Sequence, residues 1–310
     1  MSRDATVPAL AVACALLLAA APLAPQWLVF LLALALAKGL VVLGLVLLMR
    51  TGLVSFGQGL YFGLGAYAAA LLAQRGIADA ALMIVAGTAC AAAVAAILGL
   101  LLARYREIFF AMLSLAFSMI LYGVLAKNSA LGSTDGFTLH AKSFAGIALG
   151  AGMERRLFYA VSVVLVFCVA WLLHRYLASH WGRLSAAIRD NELRVEYLGA
   201  SVYRVVYLNY VAAGALAGLG GALAALAVGH VDPETTYWTT SGEFVFIAIL
   251  GGTGSVLAPF LSAALFEALR TIASQYAPNV WQLSLGLAML AIIMFLPGGL
   301  WTLTRKRGAA

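Results

Sequence analysis

Residues 179–204 read SHWGRLSAAIRDNELRVEYLGASVYR, and six charged side chains crowd between Arg183 and Glu196: Arg183, Arg189, Asp190, Glu192, Arg194 and Glu196. The whole chain of 310 residues holds 19 Lys+Arg and 12 Asp+Glu. Between these charges Leu184, Ala187, Ile188, Val195 and Leu198 recur at helical spacing, which predicts a short amphipathic helix. Apolar runs long enough to cross a bilayer lie on both sides of it. The stretch therefore reads as a helix held in water between membrane spans. Its apolar stripe favours a partner over a solvated loop.

Working outward, hydrophobic residues make up 64% of the chain and charged residues 10%, with a mean hydropathy of +1.01. A soluble protein has about 25% charged residues. The apolar runs have the length of helices rather than of the ten-residue alternating strands of an outer-membrane barrel. The fold class is an all-α polytopic membrane protein. The net charge of +7 is no nucleic-acid footprint, because the basic residues sit at span ends and form no single patch. Cys14, Cys90 and Cys168 all lie within apolar runs, with neither a disulfide framework nor metal-ligand spacing.

About ten apolar segments are predicted to span or partly span: 9–24, 27–49, 53–73, 80–103, 107–126, 157–177, 205–228, 242–254, 256–273 and 280–297. The first follows Arg3 and has the small-residue end of a signal peptide, but the second comes almost at once, which favours a retained helix. With both termini inside, twelve of the 19 basic residues fall inside, among them Arg50, Arg104, Arg106 and the closing Arg305, Lys306 and Arg307. Six fall outside, Lys142 and Arg270 included, and Lys38 lies within a span. That bias supports the N-in/C-in arrangement and puts residues 179–204 in the cytoplasm. The loops 127–156 and 229–241 then face the other side. The chain reads as a single transmembrane domain, 1–310.

Two segments are not ordinary spans. TGLVSFGQGLYFGLGAYAAALLA, from residue 51, carries Ser55 and Gln58 on one helical face and a GxxxG at Gly59 and Gly63. Four glycines in nine residues also weaken a helix, so tight packing and a broken helix lining a pathway both fit. In residues 243–269, Gly251, Gly252, Gly254 and Pro259 interrupt one over-long apolar run. Its GGTGS is not a phosphate loop, since no GK[ST] follows. A glycine-broken segment in each half points to a transporter's solute site. Lys38, between Ala37 and Gly39, is a buried charge with Glu243 and Glu267 as possible partners, snorkelling being the plainer account. Gly214, Gly218 and Gly221 form a helix-packing face.

Catalysis finds no support. Ser255 has no histidine inside an apolar span to pair with, His174 being placed near the opposite end of its own. Asp4, Asp79, Asp135, Asp190 and Asp232 are isolated. No catalytic residue, no metal and no cofactor bound by this chain is expected.

Four stretches carry a resemblance that covers most of the chain: TGLVSFGQGLYFGLGAYAAALL, LGSTDGF, GRLSAAIRDNELRVEYLGASVYRVVYLNYVAAGALAGLGGAL, and ILGGTGSVLAPFLSAAL with FLPGGLW. In this order they resemble the LivM/LivH-type permeases of bacterial ABC importers, LivM more closely, with AIRDNE and GGTGS the specific pair. The resemblance implies a multi-pass protein of the bacterial inner membrane. Its implied partners are a second, LivH-like permease in a heterodimer, two cytoplasmic ABC ATPases and a periplasmic solute-binding protein. Arg183, Ala187, Arg189, Asp190, Glu192, Arg194, Glu196 and Gly199 would form the coupling helix. The translocation pathway would draw on Lys38, Ser55, Gln58, Gly59, Thr134, Asp135, Glu243, Gly251, Gly252 and Gly254. ATP hydrolysis would belong to the partners, as the chain has no Walker lysine loop.

The implied solute is a branched-chain or other hydrophobic amino acid, with urea, short amides or aromatic acids as alternatives. Gln58, Val46, the pair Ser118 and Met119, and Lys38 all depart from the family's usual residues near the presumed pathway. A stand-alone carrier driven by ions is the competing class, and Glu243 with Lys38 would be its coupling pair. A scaffold without transport explains none of the glycine breaks.

Overall fold

The computed structural model describes residues 6–20, 24–141, 143–148, 153–276, 278, 280–295 and 299–300. Arg3, Asp4, Lys142, Arg305, Lys306 and Arg307 of the sequence reading lie outside the described residues, as does part of FLPGGLW. In chain order the helices are α1 (Thr6–Ala20), α2 (Gln26–Met49), α3 (Gln58–Gln74), α4 (Ala80–Leu102), α5 (Glu107–Lys127), α6 (Met153–Ala178), α7 (His180–Asp190), α8 (Glu192–Tyr197), α9 (Val202–Val228), α10 (Trp238–Gly251), α11 (Ala258–Tyr276) and α12 (Trp281–Phe295). Short strands β1 (Phe137–Thr138), β2 (Ser143–Phe144), β3 (Ile147–Ala148) and β4 (His230–Val231) complete them.

Helix α2 is apolar on every side, which suits only a helix that is surrounded. Leu40, Val41, Val42, Leu45 and Leu48 are fully buried, and α9, α11, α6 and α10 pack around it. Helix α4 turns Met83, Gly87, Ala91, Ala95 and Gly99 inward at every fourth position. These small side chains admit α9, where Gly214 meets Ala95 and Gly218 meets Ala91. The opposite faces of α4 and α5 expose Leu82, Val85, Ile97, Ile108, Phe109 and Met112, as a surface in contact with lipid or another membrane helix would. Helices 26–49, 80–102, 107–127, 158–178 and 202–228 are long and apolar enough to cross a membrane; α1 and α10 are shorter apolar helices. The architecture is that of an all-α membrane protein.

The two ends of the bundle differ. At one, β4 pairs with β1 (Phe137↔Val231, Thr138↔His230) and ties the loops around them together. Asp79 caps α4 there, accepting from Ala81 N and Leu82 N, and also accepts from Ser143 Oγ and Gly146 N in the β2–β3 hairpin. These bonds, led by the Gly146 N–H, hold the Asp79 carboxyl below its usual range. At the other end Arg106 Nε donates to Glu192 Oε1 at 2.7 Å, Tyr203 Oη donates to Leu100 O, and Gly52 abuts Arg189. Arg50, Arg104, Arg106, Arg189, Arg194 and Arg204 thus gather at this arginine-rich end.

Two sequence expectations are corrected. The third apolar segment is helical only from Gln58; residues 50–57 are irregular, so Ser55 does not share a helix face with Gln58. Gly52, at φ +80, and Gly57 bracket the irregular stretch, and glycine weakens a helix. The segment 229–241 is more than a surface loop. Val231, Thr236 and Ser241 are buried, and the 3-10 turn Pro233–Thr236 packs against α3 and α5. Ser118, midway along α5, donates to Thr236 O at 2.7 Å, so the segment dips to the middle of the bundle.

Candidate functional site

The dip of residues 229–241 creates a junction of two half-length helices. Gly59 N, in the first turn of α3, donates to Ser241 Oγ in the first turn of α10 at 2.9 Å. From there α3 runs to the hairpin end, where Gln74 Nε2 donates to Thr138 O. Helix α10 runs the other way and ends beside residue 253, whose carbonyl accepts from Arg50 Nη2 at 2.9 Å. At 14 residues and about 1.5 Å per residue, α10 covers about 21 Å, well short of a bilayer's hydrocarbon core. The two helices therefore begin at mid-depth and diverge, with their positive ends close together.

Buried polar groups collect at the junction. Ser55 Oγ accepts from Gly57 N, and Ser114 Oγ accepts from Phe56 N, fixing the unwound approach to α3. Gly59 and Gly63 leave room for Thr235, Thr236 and Ser241; a side chain at either would strike them. Gln58 is fully buried, and its amide has no hydrogen-bond partner among the described residues. Of the expected pathway residues, Ser55, Gln58 and Gly59 meet here. Ser118, which helps build the junction, was singled out by the resemblance as a departure near the presumed pathway; Ser241, at the end of GHVDPETTYWTTS, was not singled out.

Towards the hairpin end a cavity of about 440 Å³ opens between α2, α3, α9, α10, α11 and the dipping segment. Lys38, 6% exposed, lies on its wall with Nζ 2.5 Å from Glu267 Oε1 and 3.3 Å from Glu243 Oε2. Arg270 Nη1 reaches the same Glu243 oxygen at 3.3 Å, and Lys38 Nζ stands 5.8 Å from the centre of the Phe266 ring. Lys38 is thus an ion-paired group and not a snorkelling one. A buried pair of this kind costs about 3–5 kcal/mol to break by removing one partner, which leaves the other charge bare. Glu243 and Glu267 were legible as possible partners of Lys38, and the structure brings both to it; the convergence of Arg270 on Glu243 was not legible.

The remaining pathway residues lie apart. Thr134 and Asp135 occupy an exposed 3-10 turn, Ser133–Asp135, and do not line the cavity. Gly251, Gly252 and Gly254 sit near the arginine-rich end, where α10 stops and α11 begins seven residues on, as the glycines led one to expect. A second cavity of about 300 Å³ there is lined by Arg50, His174, Gly254 and Ser255. His174 is therefore at the same end as Ser255, against the sequence reading. The chain folds back so that the end of α6 meets the α10–α11 break. Burial lowers the Arg50 guanidinium from its usual value.

The amphipathic stretch forms two helices, not one. Asn191 ends α7 and caps α8, its Oδ1 accepting from Arg194 N. Ile188 and Val195 face inward as expected, whereas Ala187 and Leu198 face outward. Leu193, Tyr197 and Leu198 are 64%, 89% and 81% exposed and form an apolar ledge. Arg183, Arg189, Asp190, Arg194 and Glu196 are exposed around it, while Glu192 is engaged by Arg106. Gly199 ends α8 at φ +84 with open space around it, so its role is conformational and not one of close contact.

The family described as "Branched-chain amino acid transport system / permease component" matches residues 27–296. The chain is 30% identical over 288 residues to the "High-affinity branched-chain amino acid transport system permease protein LivM" of Escherichia coli (strain K12), covering 84% of this chain and 67% of that protein. It is 28% identical over 280 residues to the protein of the same name from Salmonella typhimurium, covering 83% and 65%. The chain thus spans about two thirds of the length of these relatives. No solved structure matches it.

Proposed function

The chain belongs to the branched-chain amino acid permease-component family, and from that premise we propose that it is one of two permease subunits of an ATP-driven importer. The family's members are non-catalytic transport subunits of the membrane, multi-pass and built of apolar helices. In our reading the arginine-rich end faces the cytoplasm of a bacterium and the hairpin end the outside of its inner membrane, both termini being inside. The apolar ledge of α8, ringed by charge, docks into a cytoplasmic ATPase. Two such ATPases, a LivH-like second permease and a periplasmic binding protein complete the assembly. The solute is a branched-chain or other hydrophobic amino acid.

The observation that carries this reading is the family match over residues 27–296. Supporting it, the helix breaks at 50–57 and 252–257 and the dipping segment supply the bistable joints that alternating access requires. Helix α8, tied by Glu192 to Arg106 at the start of α5, passes a push from an ATPase directly to a long membrane helix. Gentle extraction and mass spectrometry test it: two ATPases and a second permease in comparable amounts are expected. A chain that purifies alone and transports in liposomes without ATP overturns it. The buried Lys38–Glu243 contact is what an ion-coupled carrier would use instead. Full uptake by Glu243→Gln removes that second reading.

A further inference from the structure

We propose that Asn209 is the positioning residue that carries movement of α7 into the bundle, with Ser185 on α7 and the Tyr61–Tyr210 hydroxyl pair as the links on its two sides. The inference deepens the permease reading and rests on it, since an ATPase must first move α7 and α8. Asn209, on α9, is fully buried, and so is Ser185. Asn209 Nδ2 donates to Ser185 Oγ at 2.8 Å, and Ser185 Oγ donates in turn to Trp181 O at 3.1 Å. Asn209 Oδ1 accepts from Tyr176 Oη, near the end of α6, at 2.7 Å. One amide thus ties α6, α7 and α9 together with both of its polar atoms engaged.

The next residue extends the tie to α3. Tyr210 Oη lies 2.6 Å from Tyr61 Oη, both side chains are buried, and Phe110 of α5 stands edge-on to the Tyr210 ring. Tyr61 is three residues beyond Gln58, in the first turn of α3. The start of α3, and with it the Gly59–Ser241 junction, is therefore held to the point on α9 that holds α7. Helix α9 in turn packs along α2, α3 and α4. Exposure separates this route from the Arg106–Glu192 contact. That ion pair has side chains 27% and 37% exposed, and a pair open to water is screened and yields easily. Hydrogen bonds sealed from water hold their geometry, because breaking one leaves a buried polar group with no partner. A displacement of α7 therefore drags α9 with it before the amide lets go.

The test is the yield of transport per ATP. The purified complex is placed in ATP-loaded proteoliposomes with its solute-binding protein outside, and radiolabelled leucine taken up is divided by ATP hydrolysed. Wild type decides the importer reading first: uptake with no ATPase present removes that reading and this inference with it. Once the wild-type complex is ATP-driven, the variants bear on this inference alone. Ser185→Ala, Asn209→Leu and Tyr61→Phe should each lower the yield by roughly twofold or more, while the ATPases stay bound and hydrolysis continues. Ser185→Ala added to Asn209→Leu should do no further harm, since it cuts a bond already lost. Tyr203→Phe is the control: it removes the hydrogen bond from α9 to Leu100 O of α4 without touching α7, and should leave the yield unchanged. A merely structural role lowers stability, uptake and hydrolysis together and leaves their ratio at the wild-type value. An unchanged yield in folded Ser185→Ala or Tyr61→Phe overturns the proposal, as does a double variant whose loss is the product of the two single losses. Loss of the ATPases from Ser185→Ala shows that the pair shapes the docking surface instead and overturns it too. Ser185→Ala and Tyr61→Phe each remove one hydroxyl, so they decide the matter even if Asn209→Leu fails to fold.

Discussion

Gly220 of α9 lies against α2 beside the charged cavity, and replacing it by alanine tests how close that approach is. The new methyl would stand 2.5 Å from the Ala37 carbonyl oxygen and 2.8 Å from Val41 Cγ2. Ordinary contact begins at 3.4 Å, so the two helices must part by about 0.9 Å, the difference of 3.4 and 2.5. Val41 is fully buried and stiff at its branched Cβ, so the strain cannot be shed by a side-chain rotation there. Overpacking of this kind costs about 1–3 kcal/mol. Gly123 in α5 is the matched control, because a methyl there meets nothing within 4 Å. Both substitutions gain the same helix propensity, about 1 kcal/mol, which cancels between them. Side-by-side SDS-titrated unfolding should therefore place Gly220→Ala about 1–3 kcal/mol below Gly123→Ala. Since Lys38 follows Ala37, a shift of α2 also displaces Lys38 relative to its carboxylates on α10 and α11, and uptake should fall with stability. Equal unfolding of the two variants would refute the close approach and the positioning argument with it.

Leu198→Glu combined with Tyr197→Ala should abolish ATPase co-purification while leaving the unfolding midpoint within about 0.5 kcal/mol of wild type, as both residues are exposed; retained ATPase would remove the ledge as the docking surface. Gln58→Leu should raise stability by about 1–3 kcal/mol, because the amide it replaces is buried without a partner among the described residues, and should lower uptake; a destabilised variant in the same unfolding assay contradicts this. The Asp79 carboxylate, held below its usual value by the Gly146 N–H, stabilises the fold fully above the ordinary aspartate pKa. That contribution fades as the pH falls through the lower folded value. Asp79→Asn should therefore lower the unfolding temperature at neutral pH and have a smaller effect under strongly acidic conditions, and an effect independent of pH would count against the account.

The sequence by itself determined that this is an all-α membrane protein, where its apolar segments lie, and which stretch between them is amphipathic. Composition and helical period are local properties, and bilayer thickness converts them into span length. It also located the helix breaks at Gly251 to Gly254, since glycine weakens a helix wherever it stands. Ser55 shows the limit of that logic: the segment 53–73 was placed, yet its first five residues are unwound, with Phe56 N donating to the Ser114 hydroxyl of α5 and Gly57 N to that of Ser55 instead of to helical partners. Only the tertiary structure decided that residues 229–241 dip to mid-depth, since nothing in GHVDPETTYWTTS states that a carbonyl will meet Ser118. Only the tertiary structure decided that Lys38 pairs with Glu267 and Glu243, more than two hundred residues away, instead of snorkelling, and separated Thr134 and Asp135 from them. Which charges become neighbours depends on how helices pack, and that is set by the small-residue faces of α4 and α9 acting across the whole chain, not by any window of sequence.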